Sequence, residues 1–450
     1  MRHCVYLAAF AAATFQTLGA CLAAGNSPAY PLKPSHGGRY LVGQDDVPFM
    51  ILGDSPQAAI GKLSPSDADW YFANRERYGF NTVWINLLCN KPTGCNADGT
   101  TFDGIAPFST SGDLATPNEA YFARADEILR LAAKHGLLVM LDPGETAGWL
   151  DTLRANGKKK VEDFGAYVGR RYKDFPNIIW LSGNDFQSWR NWRDDALALA
   201  LAKGIRSVDK NHIHTVELDY QTSSSLNDKR WASVISLNAA YTYFPTYAEV
   251  LHAYSQSSSA PVFMVEANYE FENNTGRDFG SPDILRRQAY WTALSGATGQ
   301  LYGSKYTWQF PAGWQDKLDT IGVVQLGHLK TLFASYPWHS LVPDQAHRVV
   351  TDGYGTFTTR GALGSNDYVT AAYTPDGALV MAYLPTVHTI TVDMTRLAGR
   401  TVARWFDPTA GTFSAIEGSP FDNQGSRQFM PPGRNHDEEG DWVLVLEMSR

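Results

Sequence analysis

The chain has 450 residues, 44% of them hydrophobic and 19% charged, with a formal net charge of −8. That length suits a barrel-sized catalytic unit of ~250–350 residues followed by a smaller module. The composition excludes a disordered chain and a coiled coil, and an acidic balance without a basic block argues against nucleic acid or anionic membranes as partners.

Met1-Arg2-His3 is a short basic start, and Cys4 to Phe15 is an apolar run too short to span a bilayer. Small residues follow, from Leu18 to Ala24, so residues 1–24 read as a secretory signal peptide. Leu18-Gly19-Ala20-Cys21 also resembles a lipoprotein box, which would place a lipid anchor on Cys21. Either way the expectation is export to the periplasm or the extracellular space, with no transmembrane segment. Once the leader is gone, Cys89 and Cys95 remain in Cys-Asn-Lys-Pro-Thr-Gly-Cys. An oxidising compartment and a Pro/Gly turn predict a disulfide that closes this loop.

Apolar, β-branched runs then alternate with helical stretches. Strands are expected at 47–54, 81–88, 137–143, 177–182, 212–218, 234–238, 261–266 and 300–306. Helices are expected at 66–78, 119–135, 159–174, 193–208, 247–254, 282–297 and 318–333. Residues 89–118 form a long Gly/Thr/Asp-rich loop. Near-continuous hydrophobic strands of this kind are buried on both faces. Eight of them, each followed by a helix or helical stretch, predict a (β/α)8 TIM barrel over residues 25–343. After Pro343 the texture changes to short strands near 369–373, 378–384, 389–392, 401–406 and 442–446, joined by Gly, Pro and Asp turns. These predict a C-terminal antiparallel β-sandwich over residues 344–450.

Chemistry in such barrels gathers at the C-terminal strand ends. Polar residues directly follow the apolar runs there: Asp54, Asn86, Asp142 with Glu145, Asn184-Asp185, Glu217, Asn238 with Tyr241, Glu266, and Tyr306 with Trp308. Any one of them could be a helix cap; eight together point to a site. Asp185 and Glu266, at the ends of strands four and seven, face each other across the mouth. Glycosidic bond cleavage needs such a pair, one acid to protonate the leaving oxygen and one carboxylate to attack carbon or activate water. Aromatic residues near the expected site are Trp84, Trp149, Trp189, Tyr241, Tyr243, Tyr269, Tyr306 and Trp308. Trp149, Tyr241 and Trp308 are the expected sugar-stacking rings. No His/Cys/carboxylate cluster has metal-ligand spacing, so neither metal nor cofactor is expected, and the partner is an oligo- or polysaccharide substrate.

The motifs Gly53-Asp54, GFNTVWINLL (79–88), DGIAPF (103–108), NIIWLSGND (177–185), VEANYE (265–270) and RRQAYWTALSGATGQLYG (286–303) resemble the apiosidase-like glycoside hydrolases, family 140 and its relatives. The resemblance covers roughly residues 45–340. The remainder is similar to the β-sandwich that follows this barrel in many members, once labelled collagen-binding. The resemblance implies a retaining, exo-acting glycosidase with Asp185 as acid/base and Glu266 as nucleophile. It implies apiose or another furanosidic residue of a pectic side chain as the sugar. Gly53-Asp54-Ser55-Pro56-Gln57 departs from the usual Gly-Asp-Thr-Ala-Trp pattern, which bears on the innermost subsite.

Two other readings compete. Gly53-Asp54-Ser55 also opens the SGNH esterase pattern, with Ser55 as nucleophile, His212 as base and Asp209 orienting it. Against it, Asp209-Lys210-Asn211-His212 precedes strand five, at the barrel bottom. A non-catalytic sugar- or matrix-binding surface protein is the other, and intact carboxylates at both strand ends argue against it.

Overall fold

A computed structural model describes residues 28–188, 191–274 and 276–449 of the chain. The expected signal peptide, Cys4 and Cys21, and Trp189 with Arg190 lie outside the described residues. Among the described residues no helix is long and apolar enough to cross a membrane.

Eight strands point one way around a central core: β1 (Ile51–Asp54), β2 (Thr82–Asn86), β3 (Leu138–Asp142), β4 (Ile178–Ser182), β5 (His214–Val216), β6 (Asn238–Thr242), β7 (Val262–Glu266) and β8 (Ala297–Tyr302). Parallel ladders run in the order β5-β4-β3-β2-β1-β8-β7-β6. Between β5 and β6 a parallel ladder is replaced. Thr222–Ser224 runs antiparallel to β6, with Ser223 opposite Tyr241, while the Ser236 amide bonds the His214 carbonyl at 2.9 Å. The curled sheet therefore has the (β/α)8 form, and the chain is an α/β barrel followed by a sandwich.

Each strand except β5 feeds a helix for reasons visible in the sequence. Helix α1 (Pro65–Arg77) starts where Ser64 accepts the Asp67 amide, with proline at its first position. Helix α2 (Glu119–Lys134) is capped by Asn118 and buries Tyr121, Phe122, Ala125, Ile128, Leu129 and Ala132, one stripe at helical spacing. Helix α3 runs Thr146–Tyr172, beginning thirteen residues before the expected Lys159, and Gly157 (φ 70°) breaks it. Helices α4 (Trp192–Val208), α5 (Thr246–Gln256), α6 (Pro282–Leu294) and α7 (Ile321–Ala334) complete the layer.

Three expectations are corrected. Strand six begins at Asn238 rather than ending there, because Val234 and Ile235 turn away to bury against α4 residues. No α-helix follows β5; its place is taken by the antiparallel strand and two single turns, at Ser225–Asn227 and Lys229–Trp231. A Ser/Thr-rich stretch lacks the apolar stripe that a helix needs to dock. Strand eight ends at Tyr302, not Tyr306.

The barrel interior is filled by Ile51, Trp84, Met140, Ile179, Leu181, Phe263, Val265 and Leu301, with Leu32, Leu41 and Phe49 of the N-terminal segment in the same cluster. Burying each such side chain is worth ~1.5–3 kcal/mol. Trp84 thus points inward, beneath the mouth.

From Val342 onward two antiparallel sheets form the sandwich. The larger joins Val342–Pro343, Thr370–Tyr373, Leu379–Leu384, Trp442–Met448, Thr401–Asp407 and Thr412–Ala415; the smaller joins Val350–Asp352, Ile390–Asp393 and Ser426–Phe429. The sandwich is bolted to α6. Arg286 forms a bidentate pair with Asp441 at 2.9 Å for both contacts, and Tyr290 stacks on Tyr383 at 4.9 Å. Asp278, in the loop after β7, accepts the amides of Leu363 and Gly364. Loop residues of the sandwich therefore reach the barrel's upper rim.

Candidate active site

Glu266 is the last residue of β7, and a bulge in the β6–β7 ladder sets Tyr241 directly opposite it. Residues two apart on a strand share a face, so Tyr241 and Tyr243 both turn toward the same carboxylate. The Tyr241 and Tyr243 hydroxyls meet Glu266 Oε1, and the Tyr269 hydroxyl donates to Oε2 at 2.6 Å.

Asp185 stands in a tight turn after β4. Gly183, Asn184 and Asp185 all have positive φ, at 114°, 83° and 52°. A Cβ on Gly183 would lie 2.1 Å from the Glu217 carbonyl oxygen, so only glycine fits. The two following residues hold a left-handed conformation that costs non-glycine residues energy and is found at functional sites. Thr146 holds the turn by donating its hydroxyl to the Gly183 and Asn184 carbonyls at 2.7 and 3.0 Å. The Asp185 amide donates to Glu217 Oε2 at 3.1 Å.

One phenol joins the two acids. The Tyr241 oxygen lies 2.8 Å from Asp185 Oδ1 and 2.8 Å from Glu266 Oε1. The two carboxyl oxygens are therefore no more than twice 2.8 Å apart, 5.6 Å at most. A phenol has one proton to give. With both acids ionised, its oxygen would present a lone pair to one anion. A proton on Asp185 resolves this: Asp185 donates to Tyr241, and Tyr241 donates to Glu266. Burial raises the pKa of both acids; the charge of Asp219 adds to this at Asp185, and the charge of Asp185 adds to it at Glu266. Three phenols meet Glu266 and one of them also meets Asp185, and this donation favours the charged form of Glu266 more than that of Asp185, against the burial that raises Glu266 to about 8 and Asp185 to about 6.

Three further acids surround this pair. Glu217 follows β5; burial, then the charges of Glu266 and Asp185, raise its pKa well above the ordinary range. Asp142 ends β3 and is likewise raised by burial, and Glu145 is pushed up to about 8. Each has one carboxyl oxygen without a protein partner, as do both polar side-chain atoms of Asn86 and the Trp84 indole nitrogen. Among the described residues none of the five acids pairs with Arg, Lys or His, and no group of three or more His, Cys, Asp or Glu could hold a metal ion.

The remaining expected residues divide. Asn184 is in place, donating to Gln57 Oε1 at 3.2 Å, and Gln57 in turn donates to the Tyr269 hydroxyl at 3.3 Å. Trp308 packs edge-on against Tyr269 at 6.4 Å and donates to Glu272, which sets it on the rim. Tyr306 lies further out, against Phe271. Asp54 has both carboxyl oxygens occupied by protein partners. Its Oδ1 accepts from the Ser55 amide and Thr307, and its Oδ2 from Tyr71 and Arg75 at 2.6 and 2.7 Å; it is fully enclosed. Trp149 is buried and donates to the Cys89 carbonyl, bracing the loop instead of stacking on sugar. Asn238 sits at the bottom of β6, bonding the Ala253 carbonyl and Gln256 of α5. Cys89 and Cys95 form the disulfide, with Cα atoms 5.8 Å apart.

The esterase arrangement is absent. The Ser55 hydroxyl donates to the Tyr302 carbonyl at 3.0 Å. His212 and Asp209 pair with each other at 2.7 Å, before β5 begins and so at the opposite end of the barrel.

The sequence reading placed Tyr243 and Tyr269 near the site without a role, and it missed Gln57. The Tyr-x-Tyr spacing at the end of β6 was a usable signal for the first. For Gln57 the signal is the departure of Gly53–Gln57 from the family pattern, but its place between Asn184 and Tyr269 depends on how the chain turns after β1.

A family model described as "Apiosidase-like, catalytic domain" matches residues 35–340. One described as "Putative collagen-binding domain of a collagenase" matches residues 359–447. No curated protein matches the chain. Two solved structures share its fold. One, titled a glycoside hydrolase, is 24% identical with a TM-score of 0.80, over 94% of this chain and 97% of that one. The other, a glycoside hydrolase family 5 protein from Bacteroides vulgatus, is 22% identical with a TM-score of 0.79, over 93% of each chain.

Proposed function

The chain belongs to the apiosidase-like family, whose members are glycoside hydrolases, and from that premise we propose that it removes a terminal, uncharged sugar with retention of configuration. The sugar is apiose-like, or another furanosidic residue of a pectic side chain. The observation that carries this reading is the single phenolic oxygen within 2.8 Å of both Asp185 and Glu266. Retaining enzymes hold their carboxyls ~5–5.5 Å apart, whereas inverting enzymes leave ~6.5–9.5 Å for a water.

In the first half-reaction a Glu266 oxygen attacks the anomeric carbon. Asp185 gives its proton to the glycosidic oxygen as the bond to the leaving group breaks. Tyr269 and Tyr243 keep donating to Glu266 and so hold its orientation. In the second half, Asp185 takes a proton from water, the water oxygen attacks the anomeric carbon, and Glu266 departs as carboxylate. Glu217, Asp142, Glu145 and Asn86 offer unspent oxygens, and Asn86 an amide, to sugar hydroxyls.

The charge of the sugar follows from the same wall. Among the described residues no Arg, Lys or His pairs with these acids, so nothing there would compensate the charge of a carboxylate, sulfate or phosphate, and the terminal unit is uncharged. Export to the periplasm or extracellular space is supported by the leader-like start and by the Cys89–Cys95 disulfide. A panel of aryl glycosides, furanosides included, with Glu266→Gln as the blank, tests the reading. Turnover of a neutral glycoside that Glu266→Gln abolishes is expected. Turnover only of uronides, or equal turnover by Glu266→Gln, would overturn it.

A further inference from the structure

An opening away from the catalytic mouth lies where α5 meets the sandwich. It is a cavity of about 420 Å³ lined by Ala248, Leu251, His252 and Ser255 of α5 and by Gln345, His347, Phe357 and Tyr368 of the sandwich. That volume falls in the usual range for small-ligand sites. None of these residues is Asp, Glu, Lys or Arg, and none belongs to the catalytic group.

The sandwich side of the cleft is built rather than left over. The Asp344 carboxylate accepts the amides of Arg348, Val349 and Val350 at 2.8, 2.9 and 2.9 Å, fixing the turn that presents Gln345 and His347. His347 holds a left-handed backbone, φ 48°, a conformation that non-glycine residues adopt at a cost. Its ring stacks on Tyr354 at 3.7 Å and meets Tyr368 edge-on at 6.0 Å. Phe357 is 48% exposed, yet Tyr247 and Tyr368 hold its ring, each at 5.2 Å. Among the described residues neither the Gln345 amide nor the His347 ring has a hydrogen-bond partner. An exposed Phe357 ring and a half-buried His347 ring, beside neutral, unspent donors and acceptors, match one ligand chemistry: the C–H face and hydroxyls of an uncharged sugar.

We propose that this cleft is a second carbohydrate-binding site, in which Phe357 and His347 receive an uncharged sugar unit of the polysaccharide that the catalytic mouth trims. The inference rests on the reading of the chain as a polysaccharide-trimming glycosidase. The bound unit lies on the barrel's flank, so the cleft anchors the polymer without touching the scissile bond.

The full chain carrying Glu266→Gln, which cannot turn substrate over, is run in native gels cast with pectin, arabinan, galactan, xylan or mixed-linkage glucan. At least one polysaccharide is expected to retard it. Adding Phe357→Ala, or His347→Gly, should raise the apparent Kd at least ten-fold. Glycine suits the left-handed position, and the exposed Gln345→Ala is the companion variant should either other substitution lower the melting temperature. In the active chain the same substitutions should leave aryl glycoside turnover within two-fold. Retardation that survives these substitutions, or no retardation of the parent by any polysaccharide, overturns the proposal. Loss of retardation in a chain that cleaves no aryl glycoside would leave the cleft standing and remove the proposed reaction instead.

Discussion

Asp54 and Glu217 are both enclosed acids at the mouth of the same barrel, after β1 and β5, and they are opposites in chemistry. Asp54 has Arg75 at 2.7 Å, and Tyr71, Thr307 and the Ser55 amide complete its shell. Glu217 has one amide donor, an oxygen without a protein partner, and two acids as its nearest charges. Burial alone therefore does not distinguish a structural acid from a working one. What does is whether the fold supplies the counter-charge. At β1 the fold supplies it and the acid ties strand to helix. Around β4, β5 and β7 the described residues offer these acids no salt-bridge partner, and the acids keep protons and oxygens for a substrate.

The predictions probe that contrast. The largest effect belongs to Glu266→Gln, which should cost ~10⁴-fold or more in kcat on any active glycoside while leaving the fold intact, measured by turnover and thermal melting. Asp185→Asn should slow glycosides with poor leaving groups by ~10²–10⁴-fold and nitrophenyl-type glycosides far less, since only the former need a proton. Equal losses on both would move the acid role elsewhere. Asp54→Asn should do the reverse of these two. It leaves a buried Arg75 uncompensated and should lower unfolding free energy by about 3–5 kcal/mol, with kcat of the folded fraction little changed; denaturant titration checks it.

Smaller effects follow. Tyr269→Phe removes a charge-assisted hydrogen bond worth about 1.5–3 kcal/mol, so kcat should fall roughly 10- to 100-fold with KM nearly constant. For Glu145 the linkage has a definite sign. Burial pushes its pKa up from the ordinary 4.5 to about 8, so the folded state binds the extra proton. Stability is full below about pH 4.5 and is lost as pH rises toward 8. Glu145→Gln should flatten that decline in melting temperature between pH 5 and 8, and an unchanged slope would mean that Glu145 is not held in its protonated form. Cys89→Ser should be the mildest change, about 2–3 kcal/mol of stability for so short a loop.

Much of this was legible in the sequence because parallel strands buried on both faces write themselves as apolar runs. The expected strands at 177–182 and 261–266 match Ile178–Ser182 and Val262–Glu266 nearly to the residue, and so does the placing of Asp185 and Glu266 at the mouth. Legibility failed where tertiary contacts override local pattern. Val234 and Ile235 look like strand but pack on α4, which shifted β6 by four residues and mistook Asn238 for a mouth residue. Asp54 ends its strand as expected, but only the position of Arg75 on α1, 21 residues on, settles its role. Trp149 follows a strand end yet turns inward to the Cys89 loop. Sequence gives strand ends; it does not give the partners that arrive from elsewhere in the chain.

The most direct test of the central claim is the configuration of the first product. Proton NMR of the hydrolysis mixture, recorded before mutarotation, reads the anomeric proton of the newly released sugar. The Asp185–Tyr241–Glu266 geometry, with closest carboxyl oxygens no more than 5.6 Å apart, predicts that this sugar appears with the configuration of the substrate. An inverted anomer as the first product would contradict the account.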